Sequence, residues 1–437
     1  MDQSNAPSAI VVQRAETEFD FSVSELLELT KSYGYHISEV MTQVREEGVE
    51  YNIGSGKVSQ ILHTIRKLDI DALIVGNDLT PKQQKNILRK VPSNVTVQDR
   101  GTLIVDLFSK RSNSKEVDLL VEKARLEHSL SSATEYISQS PRVVGDVVPT
   151  ESSVKEIRSR ISSIKSELDS LKQTRFSNIN KQKDEGFTHV SLVGYTNSGR
   201  STLFRRLAQD HSVEENLGKH PDLPRTSESS EEMLYTIDTL TRRMDAQKRD
   251  ILLTDGMGII ADLPPWVQTV YNPLFDSLQH SELVLIIVDL TDSIDTIRSK
   301  LVCVQEMIKS RSQTRHLTVF TKSDSVPTEE RKQKLRALQQ IAPNAISVSA
   351  ITGENVDSVK EKVSSLLPPL QKRTLYMSLN SDRSQEIISW LHRNTHMYDQ
   401  EYTDEGVTLT FEAQADIIRE LHDRKLEKIS GAVMPAE

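Results

Sequence analysis

The chain reads as an α/β protein built around a doubly wound parallel sheet, and three observations predict it. Five apolar, β-rich runs recur at Thr188–Val193, Asp250–Leu253, Glu282–Val288, His316–Phe320 and Ala345–Val348, with helical stretches between them. Near-continuous Leu/Ile/Val runs at this spacing are what parallel strands covered on both faces require. The first run leads into Gly194-Tyr195-Thr196-Asn197-Ser198-Gly199-Arg200-Ser201-Thr202 and then into a helix-like Leu203–Leu207. A glycine-permitted turn between strand and helix converges free backbone N–H groups on an anion, so this stretch is a candidate phosphate loop. The third observation is a separate α/β alternation in residues 8 to about 110.

In that N-terminal part, strands are expected at Ala9–Val12, Ile37–Met41, Ala72–Val75 and Val95–Val97. Helices are expected over Val23–Ser32, after Gly56, from Pro81 and after Gly101. Such alternation argues for a parallel sheet with covering helices. Gly54-Ser55-Gly56-Lys57-Val58 superficially suggests a second phosphate loop. Tyr51 and Val58 stand where glycine and Ser/Thr would be needed, so a helix-entry turn is the favoured reading.

From about Asn113 to Asp184 the sequence turns long, charged and helical. Ile157, Ile161, Ile164, Leu168 and Leu171 keep three- and four-residue steps, and Ser138–Pro149 reads as the loop of an antiparallel helical pair. Between Lys155 and Lys183 eight basic residues face three acidic ones. Either this is a solvated helix face or an arm that follows RNA phosphates. The expected division is 1–112 for the N-terminal α/β domain, 113–186 for the helical pair, 187–370 for the phosphate-loop domain and 371–437 for a small C-terminal α/β appendage. In the appendage Thr374–Leu379 and Gly406–Phe411 could be strands.

The sheet's strand ends carry the remaining candidates. Asp255-Gly256-Met257-Gly258 is a D-x-x-G element: Asp255 could hold Mg²⁺ and the Gly258 N–H approach a γ-phosphate. Thr321-Lys322-Ser323-Asp324 follows the next strand but one. The Asp324 carboxylate can accept from guanine N1–H and its 2-amino group together, which favours GTP over ATP. Ser349-Ala350 could close over the base. Thr236, in Leu234–Arg243, is the candidate switch threonine for Mg²⁺ and γ-phosphate, although threonine is equally common in plain strands.

Composition narrows the rest. The 437 residues, 36% of them apolar and 27% charged, suit two to four domains. The longest apolar run, Leu283–Val288, is far too short to span a bilayer. With no apolar or Arg-rich leader at the start, the expected setting is cytoplasmic, with no membrane partner. A net charge of −9 argues against uniform nucleic-acid attachment but permits a local basic stripe. The single cysteine, Cys303, excludes an intramolecular disulfide and is expected to be a small buried hydrophobe.

Taken together these residues resemble the HflX family of ribosome-associated GTPases over nearly the whole chain. The resemblance rests on Ile53–Val58, Leu79–Asn86, Asp99–Phe108, the helical linker, Gly194–Asn197 and Asp262-Leu263-Pro264. It implies a monomeric, cytoplasmic GTP/GDP-binding protein that uses Mg²⁺ and binds the large ribosomal subunit and its RNA, splitting or rescuing ribosomes. Gly194, Asn197, Ser198, Gly199, Arg200, Ser201 and Thr202 would hold the phosphates, and Thr321, Lys322, Asp324, Ser349 and Ala350 the base. Ser201, Thr236 and Asp255 would hold the metal, and Arg200, Thr236 and Gly258 would act in hydrolysis. The chain departs from the family at Arg200 (family Lys), at Thr321 (family Asn), in a missing glycine-rich segment that leaves only Gly145, and in a long Gln209–Met233 stretch. Two readings follow: a Mg²⁺-dependent GTPase, or a degenerate G domain acting as a ribosome- or RNA-binding regulatory factor.

Overall fold

The computed structural model describes residues 6–17, 23–112, 114–139, 151–184, 186–208, 240–246, 249–256, 258–260, 263–271, 278–311, 314–378, 382–403, 406–425 and 433–435. These fall into two compact units. One comprises the described residues up to 171 and those from 260 to 271; the other comprises the remainder from 172 onward.

The first unit opens with a four-stranded, wholly parallel sheet. Its strands are β1 (Ser8–Ala15), β2 (His36–Val44), β3 (Ala72–Val75) and β4 (Thr96–Asp99), in the order β2-β1-β3-β4. Helices α1 (Ser24–Tyr33), α2 (Ser55–Leu68), α3 (Pro81–Leu88) and α4 (Arg100–Arg111) complete it. Ile10, Val12, Leu73 and Val75 meet Ile61, Ile65 and Ile87 in one core, each such residue contributing about 1.5–3 kcal/mol by leaving water. The Thr80 and Gln83 side chains form the reciprocal box that starts α3 behind Pro81. Gly54 is the N-cap of α2. A Cβ there would lie 2.5 Å from Arg45 Nη1, and the Gly54 N–H donates to Gln43 at 2.9 Å. Side chains fill this turn, so it is a helix entry and not a phosphate cradle.

Two long helices follow, α5 (Lys115–Gln139) and α6 (Glu151–Asp184). Ion pairs Lys115–Glu167 at 3.2 Å and Arg160–Glu122 at 2.7 Å run in opposite chain directions, as an antiparallel pair requires. The expected loop at its tip lies outside the described residues. The boundary between the two compact units falls within α6, after Leu171. In its last turns the Phe176 ring meets His280 at 4.4 Å and Lys183 pairs with Glu282 at 2.6 Å.

The second unit holds a six-stranded sheet in the order β10-β9-β8-β5-β7-β6. Its strands are β5 (Thr188–Gly194), β6 (Leu240–Ala246), β7 (Arg249–Asp255), β8 (Leu283–Asp289), β9 (Arg315–Thr321) and β10 (Ile346–Ser347). Five are parallel, as expected. β6 was not anticipated: it pairs antiparallel with β7 at the sheet edge, and its Thr-Arg-Arg content hides the apolar signal that a buried strand carries. Helices α7 (Arg200–Ala208), α8 (Pro265–Gln268, whose residues belong to the first unit), α9 (Ile294–Arg311), α10 (Thr328–Leu338) and α11 (Val356–Leu366) follow in chain order. Every residue of β8 is buried, which accounts for its unbroken apolar run. Cys303 corrects an expectation: it is exposed. On α9 the buried residues are Ile297, Leu301, Val304 and Ile308, and a residue two past Leu301 turns to the opposite face of the helix.

The same unit ends in an antiparallel sheet, β12-β13-β11-β14, from β11 (Gln371–Met377), β12 (His396–Tyr402), β13 (Val407–Ala413) and β14 (Val433–Pro435). Its helices are α12 (Asp382–Asn394) and α13 (Ala415–Lys425), and Leu375, Leu409, Phe411, Trp390 and Leu421 form its core. β11 and β13 match the two expected strands. β12 and β14 are additional: β12 holds only exposed and half-buried residues and carries no apolar alternation, and β14 is only three residues long.

Burial makes one pH effect predictable. In β5, His189 is 6% exposed, and burial, then Lys183 and His280, push its ring down to about 4 from 6.5. The folded ring stays neutral while the unfolded ring takes a proton first, so stability present above pH 6.5 is lost as pH falls toward 4. The loss should reach about 3 kcal/mol. Denaturant melts across this window should flatten in a His189→Gln variant; equal losses in both proteins would remove His189 as the cause.

Candidate functional site

At the C-terminal end of β5 the chain turns tightly into α7. A Cβ at Gly194 would lie 2.3 Å from the Ile287 carbonyl of β8, so only glycine lets the two strands close here. Asn197 and Gly199 take left-handed backbone angles, with φ 61° and 77°, and Leu203 N–H donates to the Gly199 carbonyl at 2.9 Å to begin the helix. Ser198 Oγ and Arg200 Nη1 are buried without a hydrogen-bond partner. A loop that aims N–H groups at a helix start and keeps such atoms unsatisfied fits an anionic ligand. Ser201 is half-buried at the first turn of α7, while Thr202 is exposed beside it.

The D-x-x-G element is laced to this loop. Ile259 N–H donates to the Gly194 carbonyl at 2.9 Å, and Thr196 N–H to the Ile259 carbonyl at 3.0 Å. A Cβ at Gly258 would lie 2.9 Å from Thr196 Cγ2, so that position packs directly on the loop. Arg200 and Asp255, which sequence reasoning assigns to phosphate and metal respectively, meet each other. Arg200 Nε donates to Asp255 Oδ1, with the two side chains 6% and 0% exposed. A buried pair of this kind holds together two charges that would each be costly alone.

The base-side candidates gather at the ends of β9 and β10. Thr321 Oγ1 donates to the Ser198 carbonyl and, at 3.1 Å, is also within reach of the Val288 carbonyl, tying the phosphate loop to β8 and β9. Lys322 adopts a left-handed angle and its Nζ pairs with Asp289 Oδ2 at 2.6 Å. Asp324 is exposed and accepts from the Ser349 hydroxyl, which holds its carboxyl below the ordinary 3.8. Ser349 is fully buried, and Ala350 packs half-buried against the sheet core. Ser323 Oγ donates to Glu354 at 2.9 Å and Arg331 pairs with the same carboxylate at 2.8 Å, bracing the Asp324 turn.

The structure therefore assembles the candidates at Gly194–Thr202, Asp255, Gly258, Thr321–Asp324 and Ser349–Ala350 along neighbouring strand ends. Thr236 lies outside the described residues. Three supporting residues escaped sequence reasoning: Asp289, Glu354 and Lys300, whose Nζ lies 5.4 Å from the Tyr195 ring centroid. Asp289 did carry a signal, being the first acid after the Leu283–Val288 run.

Comparison with known proteins agrees with this architecture. Residues 20–109 match the family described as GTP-binding GTPase N-terminal, and residues 189–322 the family described as 50S ribosome-binding GTPase. The chain is 30% identical over 413 residues to a GTPase HflX of Methanocaldococcus jannaschii, covering 93% of this chain and 96% of that one. It is also 30% identical over 344 residues to a GTPase HflX of Thermococcus kodakarensis, covering 76% and 74%. In fold it is similar to the crystal structure of the SsGBP and GDP complex, with a TM-score of 0.51 and 22% identity over 83% of this chain and 98% of that one.

Proposed function

Because the chain belongs to the HflX family of GTPases, we propose that it binds guanine nucleotide at the strand ends of the six-stranded sheet and acts on the large ribosomal subunit. The observation that carries this reading is the convergence of the phosphate loop, Asp255, Gly258, Asp324 and Ser349 on one rim. Loop N–H groups and α7 would take the phosphates, and Asp324 would take the guanine edge. Ser201 and Asp255 are the residues that would hold Mg²⁺, which when bound neutralises phosphate charge. Ile259, apolar and buried after Gly258, offers no group to orient water, so intrinsic hydrolysis is slow and acceleration must come from the partner. The domain division at 112, 186 and 370, and a role in splitting or rescuing ribosomes, complete the proposal.

The Arg200–Asp255 pair favours a second reading. With each charge already neutralised by the other, a nucleotide must first open the pair, which suits a binding module with weak nucleotide affinity. Calorimetric titration with GTP, GDP and ATP plus Mg²⁺, then phosphate release with and without large subunits, separates the two. No guanine-nucleotide binding at millimolar concentration would remove the enzyme. Hydrolysis stimulated by subunits would remove the module.

The basic stretch of α6 carries a related prediction. Charge reversal at Lys172, Arg175 and Lys181 should weaken subunit binding and flatten its dependence on salt, because fewer counterions are released. Lys172 and Arg175 lie 5.3 and 5.9 Å from the Phe176 ring centroid, so a melting curve should accompany the assay. Unchanged binding would leave the stretch a solvated helix face.

A further inference from the structure

Apart from the nucleotide rim, the second unit contains a cavity of about 420 Å³ between the β6–β7 edge of the six-stranded sheet and the C-terminal sheet with its helices. Its volume falls within the range of small-molecule sites. The walls are braced across this boundary. Gln414 Nε2 donates to Thr188 Oγ1 at 2.8 Å, and a Cβ at Gly186 would lie 2.8 Å from the Asn394 carbonyl. Gly186 has φ 85°, so the close approach and the backbone angle both call for glycine.

Three buried polar atoms belonging to its lining residues have no hydrogen-bond partner: Arg249 Nη1, Arg243 Nε and Asn394 Oδ1. Each side chain is anchored through another of its atoms. Arg249, nine-tenths buried, donates from Nη2 to the Pro368 carbonyl at 2.7 Å. Arg243 Nη2 pairs with Asp250, and Asn394 Nδ2 donates to the Trp390 carbonyl at 2.7 Å. The anchors hold two guanidinium groups and one amide in place with two donors and one acceptor left over. Buried polar groups are otherwise almost always satisfied, and leaving one unmade costs about 1–3 kcal/mol. Asp250 and Glu412 also line the wall, so net charge alone does not draw an anion here. The specific N–H groups must do so, and guanidinium donors favour oxyanions whose oxygens accept from both. The leftover amide oxygen needs a donor on the same ligand.

We propose that this cavity binds a small phosphomonoester bearing a hydroxyl group, of about sugar-phosphate size, with Arg249 and Arg243 donating to phosphate oxygens and Asn394 accepting from the hydroxyl. This site is separate from the phosphate loop. The test is calorimetric titration of the full chain with ribose 5-phosphate, inorganic phosphate and ribose, without nucleotide and with excess GDP. Ribose 5-phosphate should bind saturably in both conditions, inorganic phosphate more weakly and ribose not at all. Arg249→Lys, Arg243→Lys and Asn394→Leu should each weaken ribose 5-phosphate by about tenfold or more, with melting temperature confirming that each variant folds. The two lysine variants keep the charge, so at least these should remain folded. Displacement by GDP, equal affinity for ribose, affinity unchanged in the folded variants, or no binding at millimolar concentration would overturn the proposal.

Discussion

Replacing Arg200 by lysine is expected to tighten GDP binding by about tenfold, or roughly 1.4 kcal/mol. In the structure the Arg200 guanidinium is committed to Asp255, and both are shielded from solvent. A nucleotide phosphate and its metal would need each of these charges separately. Arginine offers a planar fork that matches a carboxylate, whereas lysine offers one compact ammonium that follows a phosphate as a point charge. Lysine still leaves Asp255 near a cation, so the fold should survive. Arg200→Ala would take that cation from a buried carboxylate and should lower stability by about 3–5 kcal/mol. Calorimetry on the lysine variant and denaturant melts on the alanine variant report the two effects separately. An unchanged GDP affinity in Arg200→Lys would show that the ion pair does not limit binding.

Asp324→Ala should have the larger effect on affinity. Two charge-assisted hydrogen bonds to guanine, each worth about 1.5–3 kcal/mol, would be lost, so GDP should bind roughly a hundredfold more weakly or worse. The preference for GTP over ATP should shrink with it. Asp324 is exposed, so the melting temperature should hold, and a fall in it would mean that the substitution disturbs the loop instead. The sign with pH follows from its depressed carboxyl. The Ser349 hydroxyl favours the charged form, which is the form that accepts from guanine. Affinity should therefore stay flat from neutral pH down to the ordinary 3.8 and fall only below it. Ser349→Ala should move that fall upward; a fall at the same pH in both proteins would separate Ser349 from the effect.

Much of this site is legible in the chain because its parts obey local rules. Phosphate loops need glycine where strands approach within a carbonyl's reach, and Gly194 meets Ile287 in that way. Buried parallel strands need unbroken apolar runs, and Leu283–Val288 supplies one. The order of loop, D-x-x-G element, Asp324 turn and Ser349-Ala350 could thus be read before any coordinates. Polar edge strands were harder: β6 buries Arg242, Met244 and Ala246 at alternate positions, but an arginine among them breaks the apolar period, and β12 buries none of its residues. Cys303 misled for a related reason: its apolar neighbours suggested burial, but the helical period turns it outward.

The α/β class, the parallel sheet and the chemical kinds of residue along its rim are written in the chain, since these depend on hydrophobic period and on turns within a few residues. Which charges meet depends on the packing of distant segments. Arg200 and Asp255 are 55 positions apart and come together because β5 and β7 are neighbours. Thr321 reaches Ser198 across 123 positions to secure the loop, a task that its identity alone does not reveal. The unsatisfied donors of Arg243 and Arg249 likewise become visible only where the C-terminal sheet closes over them. Side-chain pairing across strands depends on strand order, which no short stretch of chain encodes.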